Sequence, residues 1–107
     1  MSSSDVSVGD VVVVRPGVAD PDLGADLGGW QGRVIGAHPR EQPPTLDIQW
    51  DSITLRGMAP EVIERCEEEG LDWAEMCLEV GEVMVTDVRD SAHDVAAAKA
   101  ELASRYT

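Results

Sequence analysis

A small, mainly β domain with one short inserted helix and a helical C-terminus is the fold class the sequence predicts, on three observations. β-branched and aliphatic residues come in short runs, Val11-Val12-Val13-Val14 and Thr45-Leu46-Asp47-Ile48-Gln49-Trp50 among them. Gly- and Pro-rich turns separate these runs at close intervals, the spacing of an all-β domain rather than of strand–helix–strand units. Helix signals are confined to two stretches, one between Pro60 and Gly70 and one from Ala92 to Tyr106.

In chain order, residues 1–7 are Ser-rich and read as a flexible N-terminus. Val11 to Val14, bounded by Arg15-Pro16-Gly17, reads as a strand running into a turn. A long acidic loop follows, Asp20-Pro21-Asp22-Leu23-Gly24-Ala25-Asp26-Leu27-Gly28-Gly29, too rich in Gly and Pro for helix or strand. Trp30 to Gly36 reads as a second strand, in which Gly32 marks a bulge or a close backbone approach. Prolines keep the turn at 38–44 out of any ladder. Thr45 to Trp50 alternates Leu46, Ile48 and Trp50 with Asp47 and Gln49, the pattern of a half-buried strand. Asp51-Ser52 interrupts it, and Ile53-Thr54-Leu55 reads as a short continuation.

Pro60 suits a first helical turn and Gly70 a C-terminal cap, with Val62, Ile63 and Cys66 on one side and glutamates elsewhere. Leu71 to Met76 reads as a tight turn that packs its Leu, Trp and Met. Leu78, Val80, Val83, Val85 and Val88 alternate with polar residues as closing strands. Ala92 to Tyr106 is an alanine-rich helix that packs loosely or serves self-association. The order of elements suggests an SH3-like barrel over residues 8–90, with residues 91–107 as the C-terminal helix.

Charge narrows the function. Eight basic and 21 acidic residues give a formal charge of −13 over 107 residues. Such a surface repels phosphates and anionic lipid, so nucleic acid and membrane surfaces are poor partners, whereas cations and basic proteins are attracted. An apolar content of 43% suits a folded chain. No run approaches a membrane span and Met-Ser-Ser-Ser-Asp lacks the basic start of a signal peptide, so a cytoplasmic location is expected. Cys66 and Cys77 have neither metal-pair nor redox-pair spacing and read as reduced packing residues.

Catalytic signals are absent. His38 lies beside Pro39 and His93 in a polar segment, neither near a nucleophile motif, and there is no phosphate-binding Gly loop, His-x-x-x-His or Cys-x-x-Cys. The chain reads as a non-enzyme.

The acidic loop is either a solvated turn or a cation site, because neighbouring carboxylates repel one another unless a cation lies among them. Asp20, Asp22 and Asp26 occupy relative positions 1, 3 and 7, as in an EF-hand loop, but Ala25 stands where the invariant Gly belongs and Gln31 where the bidentate Glu belongs. It is not an EF-hand. Calcium needs about six to eight oxygens, more than this loop offers. The run Glu67-Glu68-Glu69-Gly70-Leu71-Asp72-Trp73-Ala74-Glu75 is the obvious second donor, and its acids crowd a helix end where the dipole disfavours them. The alternative for that run is a solvated helix end.

Trp30, Trp50 and Trp73 read as core or rim residues. Their other reading is a sparse aromatic groove, in an interaction module whose acidic face docks a basic partner.

Val8-Gly9-Asp10, Pro16-Gly17-Val18-Ala19-Asp20-Pro21-Asp22, Leu27-Gly28-Gly29-Trp30-Gln31-Gly32-Arg33, Trp50-Asp51-Ser52-Ile53-Thr54-Leu55 and Cys66-Glu67-Glu68-Glu69-Gly70-Leu71-Asp72 occur in that order. Over residues 8–80 the series resembles the CcbP-like family of small acidic bacterial calcium-binding proteins. The resemblance implies a cytoplasmic, non-enzymatic protein that binds calcium through surface carboxylates, as a buffer or in signalling. Carried over by matched motif, the implied ligands are Asp20, Asp22 and Asp26, with Glu68, Glu69, Asp72 and, further, Asp51 and Glu75.

Overall fold

The computed structural model describes residues 6–20 and 24–106. Five strands form one antiparallel sheet: β1 (Val11–Val14), β4 (Gln31–His38), β5 (Thr45–Trp50), β6 (Glu75–Glu79) and β7 (Val83–Val85), in the spatial order β6-β5-β4-β1-β7. A separate two-stranded hairpin, β2 (Ala19–Asp20) and β3 (Ala25–Asp26), lies between β1 and β4 in the chain. Among the described residues three α-helices complete the fold, α1 (Ser52–Gly57), α2 (Pro60–Glu69) and α3 (Ala92–Tyr106).

The sheet is strongly curled. β6 and β7 are consecutive in the chain yet lie at opposite edges, joined only by the 3₁₀ turn Val80–Glu82. Three residues reach roughly 10 Å, whereas four strand spacings laid flat would cover about 19 Å. The two edges are therefore drawn together, but they share no ladder. The expected barrel is thus not closed.

Sequence alternation carries the core. Val12 and Val14 of β1, and Leu46, Ile48 and Trp50 of β5, point inward and are buried. Val34, Leu27, Leu55, Ile63 and Cys66 join them. Gly32 is a close approach, not a bulge: a Cβ there would lie 2.3 Å from the Gln49 carbonyl oxygen. The register instead shifts between Val34 and Gly36.

Four expectations are corrected. Ile53-Thr54-Leu55 is not strand but the body of α1, so two helices, not one, are inserted between β5 and β6. The Asp51 side chain accepts from the Thr54 amide at 2.8 Å, and this N-cap overrides the β-preference of Ile53 and Thr54. The acidic loop, read as free of strand, contains the β2–β3 hairpin. The turn before β6 buries Trp73 but leaves Leu71 46% exposed. Finally, α3 does not pack loosely: Ala98 and Leu102 are buried in the common core, against which Val95, Ala103 and Tyr106 also pack. A reciprocal cap starts this helix, Ser91 N–H donating to Asp94 Oδ2 and Asp94 N–H to Ser91 Oγ. Among the described residues no helix is long and apolar enough to cross a membrane.

Candidate functional site

The acidic loop is held at its base. Ala19 pairs with Asp26 and Asp20 with Ala25, and the amide of Leu27, itself wholly buried, donates to the Val18 carbonyl at 2.8 Å. Toward the tip the Gly24 amide donates to the Asp20 carbonyl at 2.7 Å, Gly24 adopting a left-handed φ of 66°. Asp20 is half-buried. Asp26 is exposed, and its Oδ1 accepts from the Gly28 amide at 2.9 Å, ordinary Asx-turn chemistry. Asp22 lies outside the described residues.

The second acidic run follows from how α2 stops. Gly70 is left-handed (φ 71°) and the Leu71 amide closes back onto the Cys66 carbonyl at 2.8 Å, a Schellman stop. Part of the misplaced charge is answered locally. Glu69 Oε2 is 2.9 Å from Arg65 Nε one turn back, and Glu67 Oε2 accepts from the Trp73 indole N–H at 2.9 Å. Asp72 Oδ1 accepts from the Ala74 amide at 2.8 Å. Glu68 is exposed, and Glu75 opens β6 half-buried, opposite Gln49.

Cys66 of α2 lies in the field of both runs. Burial pushes its thiol up from the ordinary range, and the charges of Asp20, Glu69, Asp72 and Glu67 push it further. The hairpin stands near the end of that helix, since Asp20 and Leu71 line one hollow. The sequence pairs the hairpin acids with the run from Glu67 to Glu75, and Glu67, which the family resemblance leaves out of the implied ligands, is engaged by Trp73.

They do not form a ready cage. Among the described residues no three His, Cys, Asp or Glu side chains converge closely enough to hold a metal ion. The donors are hard oxygens, the chemistry calcium prefers, but their spacing is that of a rim. No family model, no curated protein and no solved structure matches this chain.

Asp51 is occupied elsewhere. Only 5% exposed, it caps α1 through Oδ1 and receives Arg89 bidentately, Nε to Oδ2 at 2.6 Å and a terminal nitrogen to Oδ1 at 3.0 Å. Arg89 also donates to Thr54 Oγ1 at 3.1 Å, and Ser52 bonds Asp90 through both its amide (2.7 Å) and its hydroxyl. Gln31 closes the network by donating from Nε2 to the Asp87 carbonyl at 2.9 Å. This arrangement ties the 87–90 segment to the start of α1, and a cation at Asp51 would have to displace Arg89. Its one sequence signal was the cap itself, an Asp followed three residues later by Thr; nothing local marked Arg89 as the partner.

The tryptophans are structural. Trp50 is fully buried, Trp30 meets it edge-to-face at 5.1 Å, and Trp73 is spent on Glu67.

Proposed function

We propose that this protein binds calcium reversibly and weakly along the acidic rim between the β2–β3 hairpin and the end of α2. Asp20, Glu69 and Asp72 are the central ligands, with Asp22, Asp26, Glu68 and Glu75 within the same two runs. The observation that carries the reading is that Asp20 of the hairpin and Leu71, the residue between Gly70 and Asp72, line one hollow, so acidic runs from two distant parts of the chain border the same space. A cation there relieves their mutual repulsion. Because the rim is no preformed cage, the side chains have to gather on binding, so affinity falls in the micromolar range or weaker. This is a binding protein rather than an enzyme. Free thiols at Cys66 and Cys77 suit a reducing cytoplasm.

The strand order, the long first loop carrying its own hairpin, and the 3₁₀ turn joining the two edge strands support reading the fold as an SH3-like barrel. In that reading it is open at the β6–β7 seam and carries α1 and α2 between β5 and β6.

Calorimetric titration with calcium at low salt is the test. The pair Asp20→Asn and Asp72→Asn is expected to lose about tenfold or more in affinity. A control pair removing the same charge from exposed α2 positions, Glu61→Gln and Glu64→Gln, is expected to change it less than about twofold. Equal losses in the two pairs would reduce the effect to net charge and sink the assignment.

A further inference from the structure

β6 ends the sheet, with β5 on one side and, among the described residues, no strand on the other. The register fixes which groups face outward. The Trp50 amide donates to the Ala74 carbonyl, and the Val80 amide to the Pro44 carbonyl. Bonded positions alternate along an antiparallel ladder, so Met76 and Leu78 are the residues that bond to β5. Glu75, Cys77 and Glu79 turn their N–H and C=O groups to the open edge. The Glu79 amide bears this out, since it is met there by Glu82 Oε1 at 2.9 Å.

A hollow of about 690 Å³ runs along that edge, within the roughly 300–1,000 Å³ of ligand clefts. Met76, Cys77, Leu78 and Glu79 all line it. Successive side chains of a strand point to opposite faces, so a hollow lined by four in a row reaches past one face to the edge of the strand, with Thr45 of β5, the partner of Glu79, at one end. Ala19, Asp20 and Leu27 form the opposing wall, with exposed Leu71 at one end. The slot therefore has a backbone edge, an apolar floor of Met76 and Leu78, and carboxylates at Asp20, Glu79 and Glu82. Among the described residues no Lys, Arg or His lines it. A second copy of β6 would bring two more glutamates, Glu75 and Glu79, into this field, so pairing between copies is opposed.

We infer that the open edge of β6 takes up an extended segment of a partner protein, with Lys or Arg alternating with aliphatic residues, as an added strand in the slot facing the β2–β3 hairpin. Main-chain bonds to Cys77 supply affinity and the acidic walls select the basic side chains. This binding does not depend on the calcium reading.

The probe is a capped, fluorescently labelled peptide of alternating Lys and Val, titrated in chelator at low salt and followed by anisotropy. It is expected to bind at least about tenfold tighter than its Glu–Val counterpart and to lose about tenfold when its bonding-edge amides are N-methylated. Cys77→Pro removes an outward-facing N–H without touching the β5 ladder. It is expected to keep the melting temperature and lose the peptide, and should it fail to fold, the methylated peptide decides alone. Equal binding of the Lys and Glu peptides overturns the inference. So does binding indifferent to N-methylation, which would leave charge attraction only, and so does the absence of binding.

Discussion

Asp51 does three jobs with two oxygens: it caps α1, receives Arg89 and shares Thr54 with it. Burial pushes its carboxyl up, but the Arg89 hydrogen bonds, the Thr54 amide and hydroxyl and the Arg89 charge outweigh burial and hold it below the ordinary carboxylate value. A folded-state value below the unfolded one means stability that is present above the unfolded value and lost as pH falls through the folded one. The Asp51 contribution is thus complete at neutral pH and disappears only below about pH 4. Asp51→Ala is expected to cost about 2–3 kcal/mol in urea unfolding at pH 7, a lost cap plus an Arg89 stripped of its partner. The penalty should shrink steadily as unfolding is repeated toward pH 3. A cost unchanged with pH would show that the cap, and not the charge, carries the effect. Calcium heat per folded molecule should be unaltered in this variant. Gly32 makes a second claim at this scale: its missing Cβ is what lets β4 lie against Gln49. Gly32→Ala should lower stability by about 2–3 kcal/mol through forced displacement of the two strands.

At the scale of elements, α2 shows what the sequence makes legible. Pro60 at the start, Gly70 at the stop and an apolar stripe between them are local chemistry, and the helix runs Pro60–Glu69 as that chemistry dictates. The strands Val11–Val14 and Thr45–Trp50 were legible for the same reason, their period being written in neighbouring residues. α1 was misread because composition and capping disagree there, with Ile53 and Thr54 favouring strand while one Asp satisfies the first orphan amides of a helix. α3 was placed correctly but its burial was not, since alanines become core only when another element, here α1, comes close enough to need small residues. The candidate site divides the same way. Two acidic runs can be seen in sequence; that Asp20 shares a hollow with Leu71 while Asp51 turns inward to Arg89 is decided by long-range topology. Gly70 links the helix stop to that site, because its left-handed turn directs Glu69 and Asp72 to the same end of α2. Gly70→Ala should cost about 1 kcal/mol of stability and weaken calcium binding besides, which titration of the folded variant would show. Unchanged affinity would mean that the turn does not set the position of the acids.

The whole molecule carries −13 charges in a fold of 13.5 Å radius of gyration, and self-repulsion on that scale opposes the compact state. Two means of relief are separable. Monovalent salt screens all the surface charges, with a Debye length of about 10 Å at 0.1 M. A bound divalent ion acts only where carboxylates are gathered, and adds RT ln(1 + [L]/Kd) to stability, about 2.7 kcal/mol at a hundredfold excess over Kd. Melting curves at constant ionic strength distinguish the two. Replacing part of the sodium chloride by calcium chloride should raise Tm if the rim is a site, with the rise reversed by chelator and reduced in the Asp20→Asn, Asp72→Asn pair. If ionic strength alone fixes Tm, calcium is only a counterion. pH supplies an independent check. From pH 7 downward the net charge shrinks toward zero near the isoelectric point of about 4.2, so metal-free protein should first become more stable as repulsion eases. It should then lose stability once Asp51 is protonated and Arg89 is left without its partner. Calcium protection should run the opposite way, strongest at neutral pH and fading toward acid because protons compete with a metal ion for its ligands, so that the melting curves with and without calcium converge on the acid side.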